Sequence, residues 1–188
     1  MRINEIFYSL QGEGRYAGTP AVFVRFSGCN LRCGFCDTAH ESFAEMSESE
    51  IMERIAGFPA KRVVLTGGEP TLQLTRSFME TLHERGYRIH VETNGTHRLP
   101  AEADWVVCSP KGAPLRLEHV NELKVVFTGD DTEPERYSNV EADCYYLQPC
   151  DVKDVERNAQ ITAAAVEYVK AHPQWNLSLQ THKFINIP

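Results

Sequence analysis

The chain has 188 residues, 42% of them apolar and 24% charged, with a net charge of −7. That length predicts one domain, residues 1–188, which buries roughly 70% of the surface its unfolded chain exposes and so needs no disulfide staples. The negative charge argues against a general nucleic-acid or anionic-membrane binder, and no apolar run approaches the roughly 18 residues of a membrane span.

The first residues carry no apolar signal-peptide core, so a cytoplasmic protein is expected. In that compartment six cysteines point to metal binding, catalysis or buried thiols rather than disulfides. Cys29, Cys33 and Cys36 cluster. Cys108, Cys144 and Cys150 are scattered, and they are expected to pack as small apolar groups.

Taken in chain order, short apolar runs at residues 5–9 and 21–27 read as strands. Ser47 and Glu50 then form a capping box that opens a helix with Ile51, Met52 and Ile55 on one face. A strand at 62–66 is apolar almost throughout, as expected when both faces are buried. Leu74, Phe78, Met79 and Leu82 make the stripe of a second helix, stopped by Gly86. Strands follow at 88–93, 104–109, 122–127 and 144–148. Val155, Ala159, Ala163, Val166 and Val169 predict the buried stripe of a last helix, and a final strand is expected at 176–180.

This alternation predicts an α/β fold with right-handed crossovers. A complete TIM barrel needs about 250 residues, so a partial, open barrel of about six parallel strands fits better. Its site belongs at the C-terminal strand ends. The polar and glycine-rich motifs do follow the strands: GCNLRCGFCDT after 21–27, GGEP after 62–66, and NGT after 88–93.

The spacing Cys29-x3-Cys33-x2-Cys36 supplies three thiolates at short range. They can hold three irons of a cubane and leave the fourth open to a small molecule. A structural zinc site would want a fourth ligand, for which His40 is near. Read alone, Gly67-Gly68-Glu69-Pro70 is a turn, Asp37-Thr38 a cap, and Arg25 a strand arginine paired with a surface acid. Gly12-x-Gly14 does not make a dinucleotide fingerprint. A bare charge on a barrel strand, as at Lys124, is costly unless paired.

The cysteine loop after the first barrel strand, with Phe35 before its last cysteine and GGEP one β–α unit later, resembles the radical S-adenosylmethionine (SAM) enzymes. A narrower resemblance spans nearly the whole chain. QGEG, R-x-x-G-C, C-D-T, TGGEP, ET-N-G, SPK, LQP and the closing LSLQTHKFINIP are similar to the 7-carboxy-7-deazaguanine synthase family of queuosine biosynthesis. The resemblance implies a homodimeric radical SAM lyase that turns 6-carboxy-5,6,7,8-tetrahydropterin into 7-carboxy-7-deazaguanine with loss of ammonia. It implies a [4Fe–4S] cluster on Cys29, Cys33 and Cys36, S-adenosylmethionine, and Mg2+ at Thr38. A flavodoxin or ferredoxin would supply the electron.

By the same resemblance, Phe35, Cys36, Asp37, Gly68, Glu69, Asn94, Ser109, Pro110, Lys111 and Gln148 contact the nucleotide cofactor. Leu10, Gln11, Gly12, Glu13, Arg25, Thr66, Thr93 and Pro188 contact the substrate, with Pro188 offering its terminal carboxylate. The Arg25 fork would suit a carboxylated pterin. Gln180 and His182 belong to the same tail, where Phe184, Ile185 and Ile187 are expected to act as apolar anchors. Two other classes compete. One is a compact activase that installs a glycyl radical on a partner protein, and the other is a non-enzymatic zinc or iron–sulfur module.

Overall fold

The computed structural model of the chain describes residues 1–39 and 41–188. His40, named above as a possible zinc ligand, lies outside the described residues. Among the described residues the strands are β1 (Arg2–Leu10), β2 (Pro20–Phe26), β3 (Ala44–Glu45), β4 (Arg62–Gly67), β5 (Arg88–Thr93), β6 (Trp105–Cys108), β7 (His119–Phe127), β8 (Glu141–Pro149) and β9 (Trp175–Leu177). They form one open sheet in the order β3-β1-β2-β4-β5-β6-β7-β8-β9.

From β2 to β9 every pairing is parallel, which gives seven parallel strands where about six were expected. β1 runs antiparallel to both β2 and β3. The link from β1 to β2, residues 11–19, is too short for the crossover of a dozen or more residues that a parallel pair needs. So many strands fit in 188 residues because helices are missing. The links 94–104 and 109–118 carry none, whereas α1 (Glu48–Ala56), α2 (Arg76–Glu84), α3 (Thr132–Glu135) and α4 (Val155–Ala171) follow β3, β4, β7 and β8, and α5 (Thr181–Ile185) follows β9. None of these helices is long and apolar enough to cross a membrane.

The convex face of the sheet carries the core in two parts. Val22, Val24, Phe26, Val63, Leu65, Ile89 and Val91 pack against Ile51, Met52 and Ile55 of α1 and Phe78, Met79 and Leu82 of α2. The capping box forms: Ser47 Oγ accepts from Glu50 N–H at 3.3 Å, and Glu50 Oε2 accepts from Ser47 N–H at 2.7 Å. Gly86 follows α2 at φ +76°, a conformation glycine adopts at little cost.

In the second part Leu123, Val125, Phe127 and Leu147 meet Ile161, Ala165 and Tyr168 of α4. The stripe predicted for α4 is therefore out of phase. Val155 is 89% exposed, Ala159 and Ala163 are exposed, and Val166 and Val169 are half-buried. Ile161 and Tyr168 bring more apolar surface than a run of alanines, and burying them sets the helix rotation.

Strand alternation turns the intervening residues to the concave face, and Arg25, Thr66, Glu92, Lys124 and Gln148 line a cleft there. Phe7, Ala21, Phe23 and Val64 make a small apolar cluster of their own. Nearer the N-terminal strand ends, Tyr16 sets its ring edge-on to His90, with centroids 4.6 Å apart, and to Trp105 at 5.1 Å. Cys108 and Cys150 are buried and Cys144 is half-buried, in keeping with packing roles.

Candidate active site

The cleft opens at the C-terminal ends of the parallel strands and has a volume of about 1220 Å³. Sites for one small ligand usually hold roughly 300–1,000 Å³, so this cleft has room for two molecules. Every residue assigned to the site from the sequence lines it except Glu69 and Pro110.

The cysteine loop leaves β2. It turns on a hydrogen bond from Cys36 N–H to the Cys33 carbonyl at 3.1 Å, and Leu31 N–H donates to Cys29 Sγ at 3.4 Å. Cys29 and Cys33 are half-buried and Cys36 is exposed. Burial pushes the Cys33 thiol up; Lys111 pulls it down, and Cys29 and Cys36 push it up again, so the three sulfurs share one electrostatic neighbourhood. Among the described residues no three Cys, His, Asp or Glu converge on a single-ion position. A cubane does not need that, because each thiolate binds a different iron. Thiolate donors facing a roomy cleft therefore fit such a cluster. Lys111 lies behind the loop, 5.4 Å from the Phe35 ring centroid and 2.7 Å from Ser109 Oγ.

The end of β4 approaches this loop as closely as a backbone can. Gly68 N–H donates to the Phe26 carbonyl at 3.0 Å and Glu69 N–H to the Gly28 carbonyl at 2.9 Å. Gly67 has φ +130°, and a Cβ on it would strike Phe26; one on Gly68 would strike the Gly28 carbonyl. Glycine is required at both for steric reasons. Glu69 departs from its expected place. It is fully buried; Thr71 N–H, Thr71 Oγ1, Thr93 Oγ1 and Asn94 N–H all donate to its carboxylate, at 3.1, 2.6, 2.7 and 2.7 Å. The side chain ties the end of β4 to the end of β5, and only the backbone of this motif is left to face a ligand.

The floor of the cleft is a buried charge network. Lys124 is 3% exposed, and its ammonium donates to Glu13 Oε2 at 2.6 Å and Glu92 Oε2 at 3.0 Å. Gln148 and Gln180 both donate to Glu13 Oε1, at 3.1 and 2.9 Å, and Gln11 donates to Glu92 Oε1 at 3.0 Å. Burial alone would raise Glu13, yet the adjacent ammonium holds its carboxyl down at about 2. Burial opposes the charge on Lys124, but Glu13, Glu92 and Glu122 outweigh it and push the ammonium above its usual range. Glu92 goes the other way. Burial raises it, and Glu13 and Glu122 add to that against the pull of Lys124. Neither Glu92 nor Lys124 was assigned to the site from the sequence. The available signal was a charge inside an apolar strand at an inward position, where only a partner makes burial tolerable.

The tail closes the cleft. Thr181 N–H and Oγ1 donate to the Gly12 carbonyl at 2.9 and 2.8 Å, and a Cβ on Gly12 would run into the His182 ring. Lys183 Nζ bridges Asp37 Oδ2 at 2.9 Å and Asp151 Oδ2 at 2.8 Å. Burial would raise Asp37, but hydrogen bonds from Lys183 and Gln180 hold it below the carboxylate range. Ser9 Oγ donates to the Pro188 main-chain oxygen at 2.8 Å, which brings that residue to the cleft. The predicted apolar anchoring does not occur: Phe184 is 76% and Ile185 57% exposed, and Ile187 is half-buried. Hydrogen bonds and ion pairs hold the tail instead. His182 and Lys183, unassigned from sequence, both line the cleft.

Arg25 lines the opposite wall. Its Nε donates to Glu5 Oε1 at 2.7 Å and its guanidinium lies 5.7 Å from the Phe7 ring centroid. Thr38 Oγ1 is 3.5 Å from Asp37 Oδ1, so hard oxygens sit beside the cysteine loop, as magnesium prefers.

An open α/β sheet with a three-thiol loop and a glycine-lined strand end at one cleft defines a class. The family model of the radical SAM superfamily matches residues 23–124, the stretch from β2 to the cleft lysine Lys124. The resemblance extends further. The 7-carboxy-7-deazaguanine synthase of Bacteroides thetaiotaomicron is 50% identical over 187 residues, covering 99% of this chain and 98% of that protein. That of Caulobacter vibrioides is 43% identical, again covering 99% and 98%. A crystal structure of QueE from Escherichia coli superposes with a TM-score of 0.80 at 29% identity, covering 96% of this chain and 94% of that one. The chain belongs to the 7-carboxy-7-deazaguanine synthase family, within the radical SAM superfamily. Membership implies a [4Fe–4S] cluster and S-adenosylmethionine.

Proposed function

We propose that this enzyme converts 6-carboxy-5,6,7,8-tetrahydropterin to 7-carboxy-7-deazaguanine with loss of ammonia. The observation that carries the reading is the buried Glu13–Lys124–Glu92 network on the floor of a cleft whose wall holds the three cysteines. A pterin edge presents amide and amine hydrogens, and the carboxylates of Glu13 and Glu92 are acceptors suited to them. Arg25 offers a guanidinium to the substrate carboxylate.

Cys29, Cys33 and Cys36 would hold the cluster, with Phe35, Asp37, Gly68, Asn94, Ser109, Lys111 and Gln148 toward the nucleotide. When bound, the cluster and S-adenosylmethionine would supply one-electron radical chemistry directed at the pterin ring. Thr38 would hold Mg2+ together with substrate oxygens and water. Leu10, Gln11, Gly12, Thr66, Thr93 and Pro188 would complete the substrate pocket, and the tail would exclude water from it. Lys124 keeps Glu13 ionised, so Glu13 accepts hydrogen bonds and donates none. Burial pushes Glu92 up against the pull of Lys124, so its charge is held less firmly than that of Glu13. We further propose a single radical SAM core over residues 1–188, a homodimer, a cytoplasmic setting, and a flavodoxin or ferredoxin as electron donor.

The test is anaerobic turnover. Reduced, cluster-loaded protein with S-adenosylmethionine, Mg2+ and the carboxylated tetrahydropterin should form the deazapurine chromophore. Active preparations that cleave S-adenosylmethionine yet yield no such product would overturn the assignment. A cleft floored by a dense polar network and closed by the tail suits a small molecule better than the protein loop an activase would need.

A further inference from the structure

One buried acid, Glu122, has so far entered only through its field at Lys124 and Glu92. Glu122 lies on β7 two positions before Lys124, so alternation puts both on the concave face. It is 2% exposed and sits below the cleft, which it does not line. Its Oε2 accepts from the Arg15 N–H at 3.1 Å and from Trp105 Nε1–H at 3.3 Å. Among the described residues its Oε1 is buried without a hydrogen-bond partner. A half-satisfied interior carboxylate costs stability.

Directly above it is Gly14, at φ +63°, where a Cβ would collide with the Glu122 carboxylate. Gly14 N–H donates to Ser178 Oγ at 3.0 Å. Ser178 Oγ donates to Gln148 Oε1 at 3.0 Å, and Gln148 in turn donates to Glu13 Oε1 at 3.1 Å. The two amides that follow Glu13 are thus gripped from below by Ser178 and Glu122.

We propose that Glu122 is a positioning residue for substrate binding: by holding Arg15 N–H and seating Gly14, it fixes the loop that presents Gln11 and Glu13 to the cleft. The inference rests on the pterin reading given above. On this view the acceptor atom and the side-chain volume matter more than the charge, which adds only to the field at Lys124. Glu122→Gln keeps both, whereas Glu122→Ala loses both. Gly14→Ala attacks the same contact from the other side by pushing a Cβ into the carboxylate.

The experiment measures calorimetric binding of 6-carboxypterin, a redox-stable probe, to cluster-loaded wild type, Glu122→Gln, Glu122→Ala, Gly14→Ala and the double alanine variant, with a thermal melt of each. Glu122→Ala and Gly14→Ala should each weaken binding by about tenfold or more, the size of one lost buried hydrogen bond. Glu122→Gln should stay within about threefold of wild type. The double variant should lose less than the two single losses together, because removing the carboxylate makes room for the new Cβ. The spectral response of the cluster to S-adenosylmethionine should not change in any folded variant, since this loop lies on the substrate side. A lower melting temperature with unchanged pterin affinity in Glu122→Ala would reduce Glu122 to a structural residue and overturn the inference. Additive losses, or a Glu122→Gln as weak as Glu122→Ala, would overturn it too. A wild type that binds no 6-carboxypterin overturns the functional reading itself, and this inference with it.

Discussion

Gln180 Nε2 donates to Glu13 Oε1 at 2.9 Å across 167 positions of sequence. The same amide nitrogen also reaches Asp37 Oδ2 at 3.1 Å. One side chain near the end of the chain therefore ties the loop after β1 to the cysteine loop, and the cleft is enclosed by parts that no local stretch contains.

Lys124 holds two buried carboxylates in place, so Lys124→Met should be among the most damaging single changes. Removing one partner of a buried ion pair typically costs about 3–5 kcal/mol. Urea denaturation at pH 7 should show that loss, and acidification toward pH 5 should restore part of it as Glu13 and Glu92 take up protons. A variant as stable as wild type at pH 7 would refute the charge network.

His90 gives a pH dependence with a definite sign. Burial first, then Arg62, lowers it to about 4 from an ordinary 6.5, and its Nε2 accepts from Arg62 Nε at 3.2 Å. A histidine whose folded pKa is depressed contributes stability above its unfolded value and loses it as pH falls toward the folded one. Stability should therefore fall between about pH 6.5 and 4, with a slope of up to about 1.4 kcal/mol per pH unit. Glu13, held at about 2, extends the loss to lower pH in the same direction. In His90→Gln the slope between pH 6.5 and 4 should flatten; an unchanged slope would count against this account.

The cluster assignment has a visible readout. Anaerobically reconstituted wild type should be brown, with about four irons per chain. Cys33→Ala should be nearly colourless while keeping the far-ultraviolet circular dichroism of wild type, since Cys33 is only half-buried. Full iron content in the variant would remove that thiol from the ligand set.

Lys183→Met should release the tail from Asp37 and Asp151 without unfolding the sheet. Partly exposed ion pairs are worth about 1 kcal/mol or less apiece. The Michaelis constant for the pterin should therefore rise several-fold, with cluster loading intact. Unchanged steady-state kinetics would show that the tail stays in place without this bridge.

The phase of α4 is testable in the same way. Ile161→Ala should cost about 2–5 kcal/mol, whereas Val155→Ala, at a site 89% exposed, should stay within about 0.5 kcal/mol. Equal losses would favour the stripe read from the sequence.

Much of this site was legible locally. The cysteine spacing, the paired glycines of Gly67-Gly68, the capping box of Ser47 and Glu50 and the eight main strand runs are features of a few consecutive residues, because thiolate chelation, backbone approach and helix nucleation act over a few residues. The open barrel of parallel strands followed from length and alternation, whereas the antiparallel β1 and β3 at its edge did not. Local pattern misjudged the rotation of α4, because valine and alanine spacing competed with the larger Ile161 and Tyr168, and only packing area against β7 and β8 decides between them. It also misjudged the tail. Phe184 and Ile185 look like anchors by composition, yet Thr181 and Lys183 do the holding.

The tertiary structure alone decided which charges meet. Glu13, Glu92, Glu122 and Lys124 come from one loop and two strands. Burial of a lone charge is prohibitive and burial of a partnered, hydrogen-bonded one is less so, so each residue is intelligible only with the others present. Sequence determined the cysteine spacing, the glycines and the class of fold, since those depend on neighbours along the chain. The register of β5 against β6 and of β6 against β7, and the return of the tail to Gly12, determined the floor of the cleft, since electrostatic partners are chosen by distance in space.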